Sequence, residues 1–312
     1  MIFIMLYCGL ELVYLPPLNT LDMKKLLLSL SVITSLTVIG QTNTSSISFD
    51  GVDDAVVIGE HVIHEIDDNI SILGAFKFNS LTNNDNIIVS REGNYEIGLN
   101  GSTMQLKWAI SNTSPGWTWT SDGMNLTADT WYWFGFTYAN GEVKIYINGN
   151  LQATVPATGT IGDSDNGAYN ELWVGDRHGD VTLNHALNGS VDELHIWNVV
   201  LTEQEIQDYM NCPPTGNETG LVGYWNFEEG SGTTTTDQTS NGNNGILNGG
   251  VSWSTDVPPY NCCSPDPITS QPTDVTVPLN GTGMFSTTTS ITSPTYQWQM
   301  DNGTGYMDLT NA

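Results

Sequence analysis

Thr130-Trp131-Tyr132-Trp133-Phe134-Gly135-Phe136-Thr137-Tyr138-Ala139-Asn140-Gly141-Glu142-Val143-Lys144-Ile145-Tyr146-Ile147-Asn148-Gly149-Asn150 is the stretch that decides the fold. Two runs rich in aromatic and β-branched residues, Trp131 to Tyr138 and Glu142 to Ile147, are joined through Ala139-Asn140-Gly141. Asn-Gly is the strongest short hairpin signal, because both central residues of a type I′ turn need positive φ. A second reversal follows at Asn148-Gly149-Asn150, and Leu151-Gln152-Ala153-Thr154-Val155 returns alongside. These two runs read as the longest strands of the chain.

Outward from this hairpin the same alternation recurs in short pieces cut by Gly, Asn and Asp. Ser46-Ile47-Ser48-Phe49, Asn86-Ile87-Ile88-Val89-Ser90, Tyr95-Glu96-Ile97-Gly98-Leu99 and Gln105-Leu106-Lys107-Trp108-Ala109-Ile110 each fit a period of two. One helix is predicted, in Leu201 to Met210. Thr202 is its N-cap, Glu205 completes a capping box, and Ile206, Tyr209 and Met210 share a face. Many regularly spaced strands with one short helix predict an all-β fold, an antiparallel two-sheet sandwich of the jelly-roll kind.

Composition narrows the function. The chain has 312 residues with 7 Lys+Arg against 34 Asp+Glu, a formal charge of -27. This excludes a nucleic-acid partner held by phosphate neutralisation, which needs clustered bases. Met23-Lys24-Lys25, followed by the apolar run Leu26 to Ile33 and a small residue, Gly40, near the exit, reads as a secretory signal peptide over residues 23–41. Residues 1–22 then read as a mis-assigned N-terminal extension. Removing both leaves five bases against 32 acids, still -27, with no membrane span expected in the mature chain. Localisation is therefore expected to be secreted or at the cell surface, where disulfides form. Cys212 is expected to bridge Cys262 or its neighbour Cys263; either closes a loop of about 50 residues, worth about 4 kcal/mol in the chain-entropy model. The spacing does not choose between them.

Three segments carry a family resemblance. Ser46-Ile47-Ser48-Phe49-Asp50-Gly51-Val52-Asp53-Asp54 resembles the opening strand of the laminin-G-like, concanavalin A-like jelly rolls of secreted bacterial multidomain proteins. Thr130 to Tyr138 with Val143 to Gly149 is similar to that family's central hairpin. Asn188-Gly189-Ser190-Val191-Asp192-Glu193-Leu194-His195-Ile196-Trp197-Asn198, then Leu201-Thr202 and Glu205-Ile206, resembles its closing strand and helix. The resemblance implies one jelly-roll domain over residues 42–260. Gly220-Leu221-Val222-Gly223-Tyr224-Trp225-Asn226-Phe227 with Asp237 to Gly245 looks like the segment that usually begins such a domain, yet here it follows the helix. Either its strands fill the place of the missing first ones, the favoured alternative, or they start a second copy. A Pro-rich linker over 261–272 leads to residues 273–312. There Val275 to Val277, Met284 to Ser286 and Thr295 to Gln299 resemble the first strands of an immunoglobulin-like domain, with Trp298 in its core position and Phe285 where the first cysteine would stand. Such a domain needs about 100 residues, so an incomplete domain is expected.

The chemistry divides among three readings. A concanavalin A-like glycoside hydrolase needs two carboxylates flanking one sugar. Glu65-Ile66-Asp67-Asp68-Asn69 begins like the laminarinase strand but carries Asn69 at the third acidic place, and adjacent Glu228 and Glu229 would point to opposite faces. No catalytic residues are therefore assigned. A structural calcium is expected in the oxygen-rich loops. Its expected ligands are Asp163 and Asp165, and, by the resemblance, Asp192, Asp237, Asn241 and Asn243. The same clusters also suit plain turns. Asp50, Asp53 and Asp54 are expected to make structural hydrogen bonds. For ligand binding, Trp117 and Trp119 lie two apart on an extended segment and would face one way, with Asn112, Asp122 and Asn125 as a polar rim; the alternative is burial between the sheets. Trp108, Trp131, Trp133, Trp173, Trp197 and Trp225 are expected in the core. The expected function is a non-catalytic extracellular recognition or adhesion module whose partner is a glycan or a cell-surface protein. Glycoside hydrolase and pure structural spacer are its rivals.

Overall fold

The computed structural model describes residues 43–259, apart from 60–65, 67, 82–84, 113, 140, 163–170 and 179–184, together with five short strands near the two termini. The chain forms two compact units, Thr42–Asn261 and a second made of Met1–Gln41 with Cys262–Ala312. In the second unit β1 (Ile2–Met5) is the first strand of the chain.

The larger unit is a sandwich of two antiparallel sheets. Its strands are β2 (Ser46–Asp50), β3 (Ala55–Ile58), β4 (Ile70–Ser80), β5 (Asp85–Arg91), β6 (Tyr95–Asn100), β7 (Gln105–Ile110), β8 (Thr120–Ser121), β9 (Tyr132–Ala139), β10 (Gly141–Ile147), β11 (Asn150–Ala157), β12 (Leu172–Val174) and β13 (Asn188–Trp197). After helix α1 (Glu203–Asn211) come β14 (Leu221–Trp225), β15 (Thr234–Thr235), β16 (Gly245–Asn248) and β17 (Ser252–Ser254). The first sheet runs β11-β10-β9-β4-β13-β2-β17, with β14 also paired to β13; the second runs β15-β16-β3-β12-β5-β6-β7-β8. Among the described residues no helix is long and apolar enough to cross a membrane.

The turns follow from residue type. Ala139 pairs with Glu142 and Ile147 with Asn150, so both reversals are two-residue loops. At the second, Asn148 (φ 49) and Gly149 (φ 72) both sit at positive φ, the geometry a type I′ turn requires. Period-two strands send alternate residues inward: Tyr95, Ile97 and Leu99 of β6 and Leu106, Trp108 and Ile110 of β7 join Phe134, Phe136 and Ile145 of the facing sheet in one buried cluster. Helix α1 has the expected capping box, Glu205 N–H donating to Thr202 Oγ1 and Thr202 N–H to Glu205 Oε2. It packs Ile206 on the outer side of the first sheet, against Leu73, Tyr146, Trp197 and Tyr224.

Among the described residues the longest strands are β4 with 11 residues and β13 with 10, not the two of the central hairpin. Both are central, and α1 covers part of the outer face, so Ile70 to Phe76 and Gly189 to Trp197 are buried on both sides and lose the two-residue alternation. Strand β13 pairs first with β2, through Asn188 to Val191, then with β14, through Leu194 to Trp197. The handover falls at Glu193, whose φ of 52 accompanies a register shift against β4 between Asp192 and His195. Residues 221–254 thus add strands to both sheets: β14 and β17 to the first, β15 and β16 to the second.

Trp108, Trp133, Trp197 and Trp225 are buried. Trp131 and Trp173 are not in the core, contrary to expectation. Trp131 is half-buried and donates its indole N–H to Asp256 at 3.0 Å, while Trp173 is the middle residue of a three-residue strand whose flanking Leu172 and Val174 point inward, which turns its ring outward. In the terminal unit β1 pairs with β20 (Gln297–Asp301), which pairs with β21 (Tyr306–Asp308), and β18 (Ile268–Ser270) pairs with β19 (Thr288–Thr289). The strands expected at 275–277 and 284–286 lie outside the described residues.

Candidate functional site

The outer face of the second sheet carries charge. On β6, Glu96 points away from the core that its neighbours Tyr95 and Ile97 enter, and the register sets it opposite Ser90 of β5. On β7, Lys107 points the same way, opposite Gly98 and Ser121. The segment after β12 brings Arg177 over this face, and the segment before β13 brings His185, whose carbonyl accepts the Ile87 amide at 2.9 Å.

These side chains form a continuous chain of contacts. Ser90 Oγ donates to Glu96 Oε1 at 2.8 Å, and Arg177 Nη1 donates to Glu96 Oε2 at 3.3 Å. Arg177 Nη2 lies 2.7 Å from His185 Nε2. A guanidinium only donates, so Nε2 accepts and the ring hydrogen sits on Nδ1, which faces Asp85 Oδ2 at 3.7 Å. Asp85 pairs in turn with Lys107, whose Nζ stands 4.3 Å from the centre of the Trp119 ring. Trp117 meets Trp119 edge-on, with ring centres 6.4 Å apart and planes at 73°.

Burial sets the electrostatics. Glu96 is fully buried although it faces outward, because Arg177 and its neighbours cover it. Desolvation, then the hydrogen bond to Glu92 and the Glu92 charge, push its carboxyl up to about 8 against the opposing pull of Arg177, so it is a neutral acid at pH 7. Burial, helped by the Arg177 charge, brings the Lys107 ammonium down to about 8. Asp122 is raised to about 6 by burial. Glu96, His185 and Lys107 are buried in this network, so what meets solvent is the half-buried Arg177 guanidinium and the two half-buried indole rings, a fixed donor beside flat apolar surface.

Of the five residues expected to bind ligand, Trp117 and Trp119 are half-buried at the β7–β8 edge and neither is sandwiched between the sheets. Rather than facing one way, their rings meet edge to face. Asp122 continues that edge: its N–H donates to the Leu106 carbonyl, Oδ1 accepts the Met124 N–H at 3.0 Å, and Oδ2 is buried without a hydrogen-bond partner among the described residues. Asn112 is spent on its own loop, Oδ1 accepting Gly116 N–H and Nδ2 donating to the Ser114 carbonyl. Asn125 is exposed and accepts from Gln105 Nε2 at 2.9 Å.

Of the residues expected to hold calcium, Asp237, Asn241 and Asn243 share one turn and Asp192 lies on β13. Asp163 and Asp165 lie outside the described residues. Asp192 is buried at the β13 handover, Oδ2 accepting Asn43 Nδ2 at 2.9 Å and Oδ1 the Glu193 N–H at 2.9 Å; burial, then the Glu193 charge, holds its carboxyl well above the usual range. Asp237 accepts from Tyr224 N–H and Thr239 N–H on Oδ1, and from Thr239 Oγ1 and Asn243 N–H on Oδ2. Asn241 and Asn243 both donate to the Val222 carbonyl, at 3.0 and 3.2 Å, which ties this turn to β14. Cys212 is exposed at the C-cap of α1, and Cys262 lies outside the described residues.

Glu96, Asp85, Lys107, Arg177 and His185 were not singled out by the sequence as binding residues. The available signal was scarcity: after residue 41 the chain holds only Lys77, Arg91, Lys107, Lys144 and Arg177 as bases, and two of these five meet here.

The family model of the concanavalin A-like lectin/glucanases superfamily matches residues 49–207, half of the chain. Among solved structures, the chain is similar to a candidate carbohydrate-binding protein from Bacteroides ovatus, at 19% identity over 71% of this chain and 62% of that one, with a TM-score of 0.58. It thus spans less than two thirds of that protein's length. It is also similar to a heptameric SAP-like pentraxin from Limulus polyphemus (14% identity, 71% of this chain, 98% of that one, TM-score 0.49). A third likeness is to the CBM40 of a Ruminococcus gnavus IT-sialidase bound to α2,3-sialyllactose (12%, 54% and 97%, TM-score 0.43). No curated protein matches the chain in sequence. With two antiparallel sheets, the expected opening strand, central hairpin and closing strand in order, and a family model covering half its length, this chain belongs to the concanavalin A-like lectin/glucanase superfamily.

Proposed function

We propose that the chain is a non-catalytic, extracellular carbohydrate-recognition module whose ligand lies on the outer face of the second sheet, against Trp119 and Trp117. The observation that carries this reading is the unbroken line of polar groups from Glu96 through Arg177, His185 and Asp85 to Lys107, ending on an indole face. Sugars present hydroxyls that both donate and accept, and C–H faces that stack on flat rings. A site that suits them needs fixed polar groups of both kinds beside an aromatic platform. The groups here are held in place by one another before a ligand arrives, which lowers the ordering cost of binding. The description of the Bacteroides ovatus relative as a candidate carbohydrate-binding protein agrees with this reading. The signal-like segment at 23–41 supports export, and the partner is a glycan, free or displayed on a surface.

The test is a glycan array probed with the full chain and with Trp119→Ala. Binding to a defined set of glycans, lost in the variant, supports the proposal; flat signals from the wild type across the array would sink it.

A second reading draws on Glu96 alone. Burial raises its carboxyl toward the range of a general acid, but a glycoside hydrolase also needs that acid to reach the sugar beside a second carboxylate, and Glu96 lies buried beneath Arg177. Turnover of an array-positive glycan by wild type, abolished in Glu96→Gln, would establish it in place of simple binding.

A further inference from the structure

The corner between β2 and β3 gathers three acids outside the face just described. Strand β2 ends at Asp50 and β3 begins at Ala55. A carboxylate oxygen of each of Asp50, Asp53 and Asp54 lies within 4.8 Å of those of the other two. Hydrogen bonds account for part of the cluster: Val52 N–H donates to Asp50 Oδ1 and Asp50 N–H to Asp54 Oδ2, each at 2.8 Å. They use two of the six carboxylate oxygens, and one of the other four is buried. Asp54 is 1% exposed, and its Oδ1 has no hydrogen-bond partner among the described residues. Among those residues, no Lys or Arg forms an ion pair with any of the three. A buried carboxylate oxygen left unpaired beside two more carboxylates is costly twice over, in lost hydration and in like-charge repulsion.

We infer that this corner is a divalent-cation site, with the carboxylates of Asp50, Asp53 and Asp54 as ligands, and that calcium is the ion it fits. The donor set is all oxygen, without imidazole or thiolate, which selects a hard cation. Calcium–oxygen distances of about 2.3–2.6 Å place ligands on opposite sides of the ion about 5 Å apart at most. The three carboxylates, whose oxygens lie within 4.8 Å of one another, are close enough to share one ion of that size, whereas magnesium demands a near-ideal octahedron and keeps most of its water. Asp50 and Asp53 are exposed, so water can complete the coordination. The backbone of the loop before β17 approaches from the other side. A Cβ at Gly250 would come within 3.1 Å of Asp54 Oδ1, and one at Gly249, which has a φ of 82, within 2.2 Å of the Asp53 carbonyl. Glycine at 250 keeps a side chain away from the unpaired oxygen, and glycine at 249 lets the backbone come this close.

The corner also touches the segment that delivers Arg177. Asn188 Nδ2 donates to the Asp50 carbonyl at 3.1 Å, the Phe49 ring fills the space where Gly175 would carry a side chain, and the Asp53 charge helps raise the Asp176 carboxyl. An ion bound there would steady one wall of the carbohydrate face. That consequence rests on the proposed function; the ion site does not.

The experiment is calorimetric titration of the chelator-stripped full chain with calcium chloride and with magnesium chloride, alongside melting in calcium and in EDTA. Its variants are Asp53→Asn, Asp54→Asn and Asp192→Asn. The wild type is expected to bind calcium in the range of about 10⁻⁵–10⁻³ M, more tightly than magnesium, and to melt higher with it. Asp53→Asn, at an exposed position, should weaken calcium binding about tenfold or more while leaving the EDTA melting point unchanged, and Asp192→Asn should retain binding. If Asp54→Asn does not fold, Asp53→Asn decides. Absence of heat and of any melting shift at about 10 mM calcium would overturn the site, as would affinity within about twofold of wild type in Asp53→Asn. Because calcium binding is read without any glycan, its failure and a failure of the carbohydrate reading are separate results.

Discussion

The Arg177 guanidinium reaches the buried Glu96 carboxyl at 3.3 Å across 81 residues of sequence, and it does so from a segment that also holds His185 through the same guanidinium. One side chain thereby joins the β6 strand to the loop region between β12 and β13. Removing it leaves Glu96 and the imidazole without their shared donor. Arg177→Ala should weaken binding of an array-positive glycan about tenfold or more, with a smaller effect on stability, because the arginine itself is partly exposed. Titration calorimetry beside urea unfolding separates the two.

Stability should fall as pH rises through the range in which Glu96 titrates. Its folded carboxyl is raised to about 8 from an ordinary value of 4.5. Between those values the unfolded chain has lost a proton that the folded chain keeps, so the folded state is favoured fully below about pH 4.5 and loses that advantage up to about pH 8. Asp122 and Asp176, both raised to about 6 by burial, add the same slope at lower pH. Lys107, lowered to about 8, acts in the opposite sense only above that pH. Wild type is expected to melt higher at pH 5 than at pH 8, and Glu96→Gln to flatten the portion between pH 6 and 8. An unchanged slope in the variant would remove Glu96 as the cause.

Trp119 should carry more of the binding than its neighbour. It sits under the Lys107 ammonium, whereas Trp117 meets it edge-on. Loss of a stacking indole is worth about 1.5 kcal/mol, or about tenfold in affinity. Trp119→Ala should reach that loss, while Trp131→Ala, on the other sheet, should leave affinity within about twofold. Equal losses in the two variants would argue against the proposed face.

Gly189 is expected to tolerate no side chain. A Cβ there would lie 2.1 Å from the Lys77 carbonyl and 2.9 Å from the Phe78 Cα, both backbone atoms of the adjacent β4. Neither can rotate away, so the central pairing of the first sheet must shift. Gly189→Ala should cost at least about 2 kcal/mol in urea unfolding. A cost below about 0.5 kcal/mol would show that β13 and β4 can separate more freely than this contact allows.

Thr202→Ala removes the hydroxyl that accepts the Glu205 N–H and undoes the capping box of α1. A loss of about 1 kcal/mol is expected. Thr202→Ser should restore most of it, which distinguishes capping from packing of the threonine methyl.

Local chemistry was legible wherever a residue's conformation depends on its immediate neighbours. The Asn148-Gly149 reversal, the α1 cap and the strands β2, β5, β6 and β7 lie where the alternation and turn residues put them. Of the two placements the sequence left open for Trp117 and Trp119, the structure has them half-buried beside β8, and the segment there sets their rings edge to face rather than facing one way. Periodicity failed at β4. Ile70-Ser71-Ile72-Leu73-Gly74-Ala75-Phe76 is buried without a break, and, unlike the equally buried β6 with its outward Glu96, its outer side packs apolar Leu73 under the helix.

By itself the sequence determined the all-β class, the order of the hairpins and the capped helix at 203–211, because turn φ values, capping hydrogen bonds and a two-residue period are short-range properties. Only the tertiary structure decided which polar residues share a surface. Asp85, Glu96 and Lys107 are brought side by side by the β5-β6-β7 register, and Arg177 and His185 reach them because β12 pairs with β5 while β13 crosses to the other sheet. The same holds for Asp54. Three aspartates in five residues look like a turn from sequence alone, and it is burial beneath the loop before β17 that leaves one oxygen unpaired. Sheet order and burial are long-range outcomes, so the fold was readable from short motifs and the sites were not.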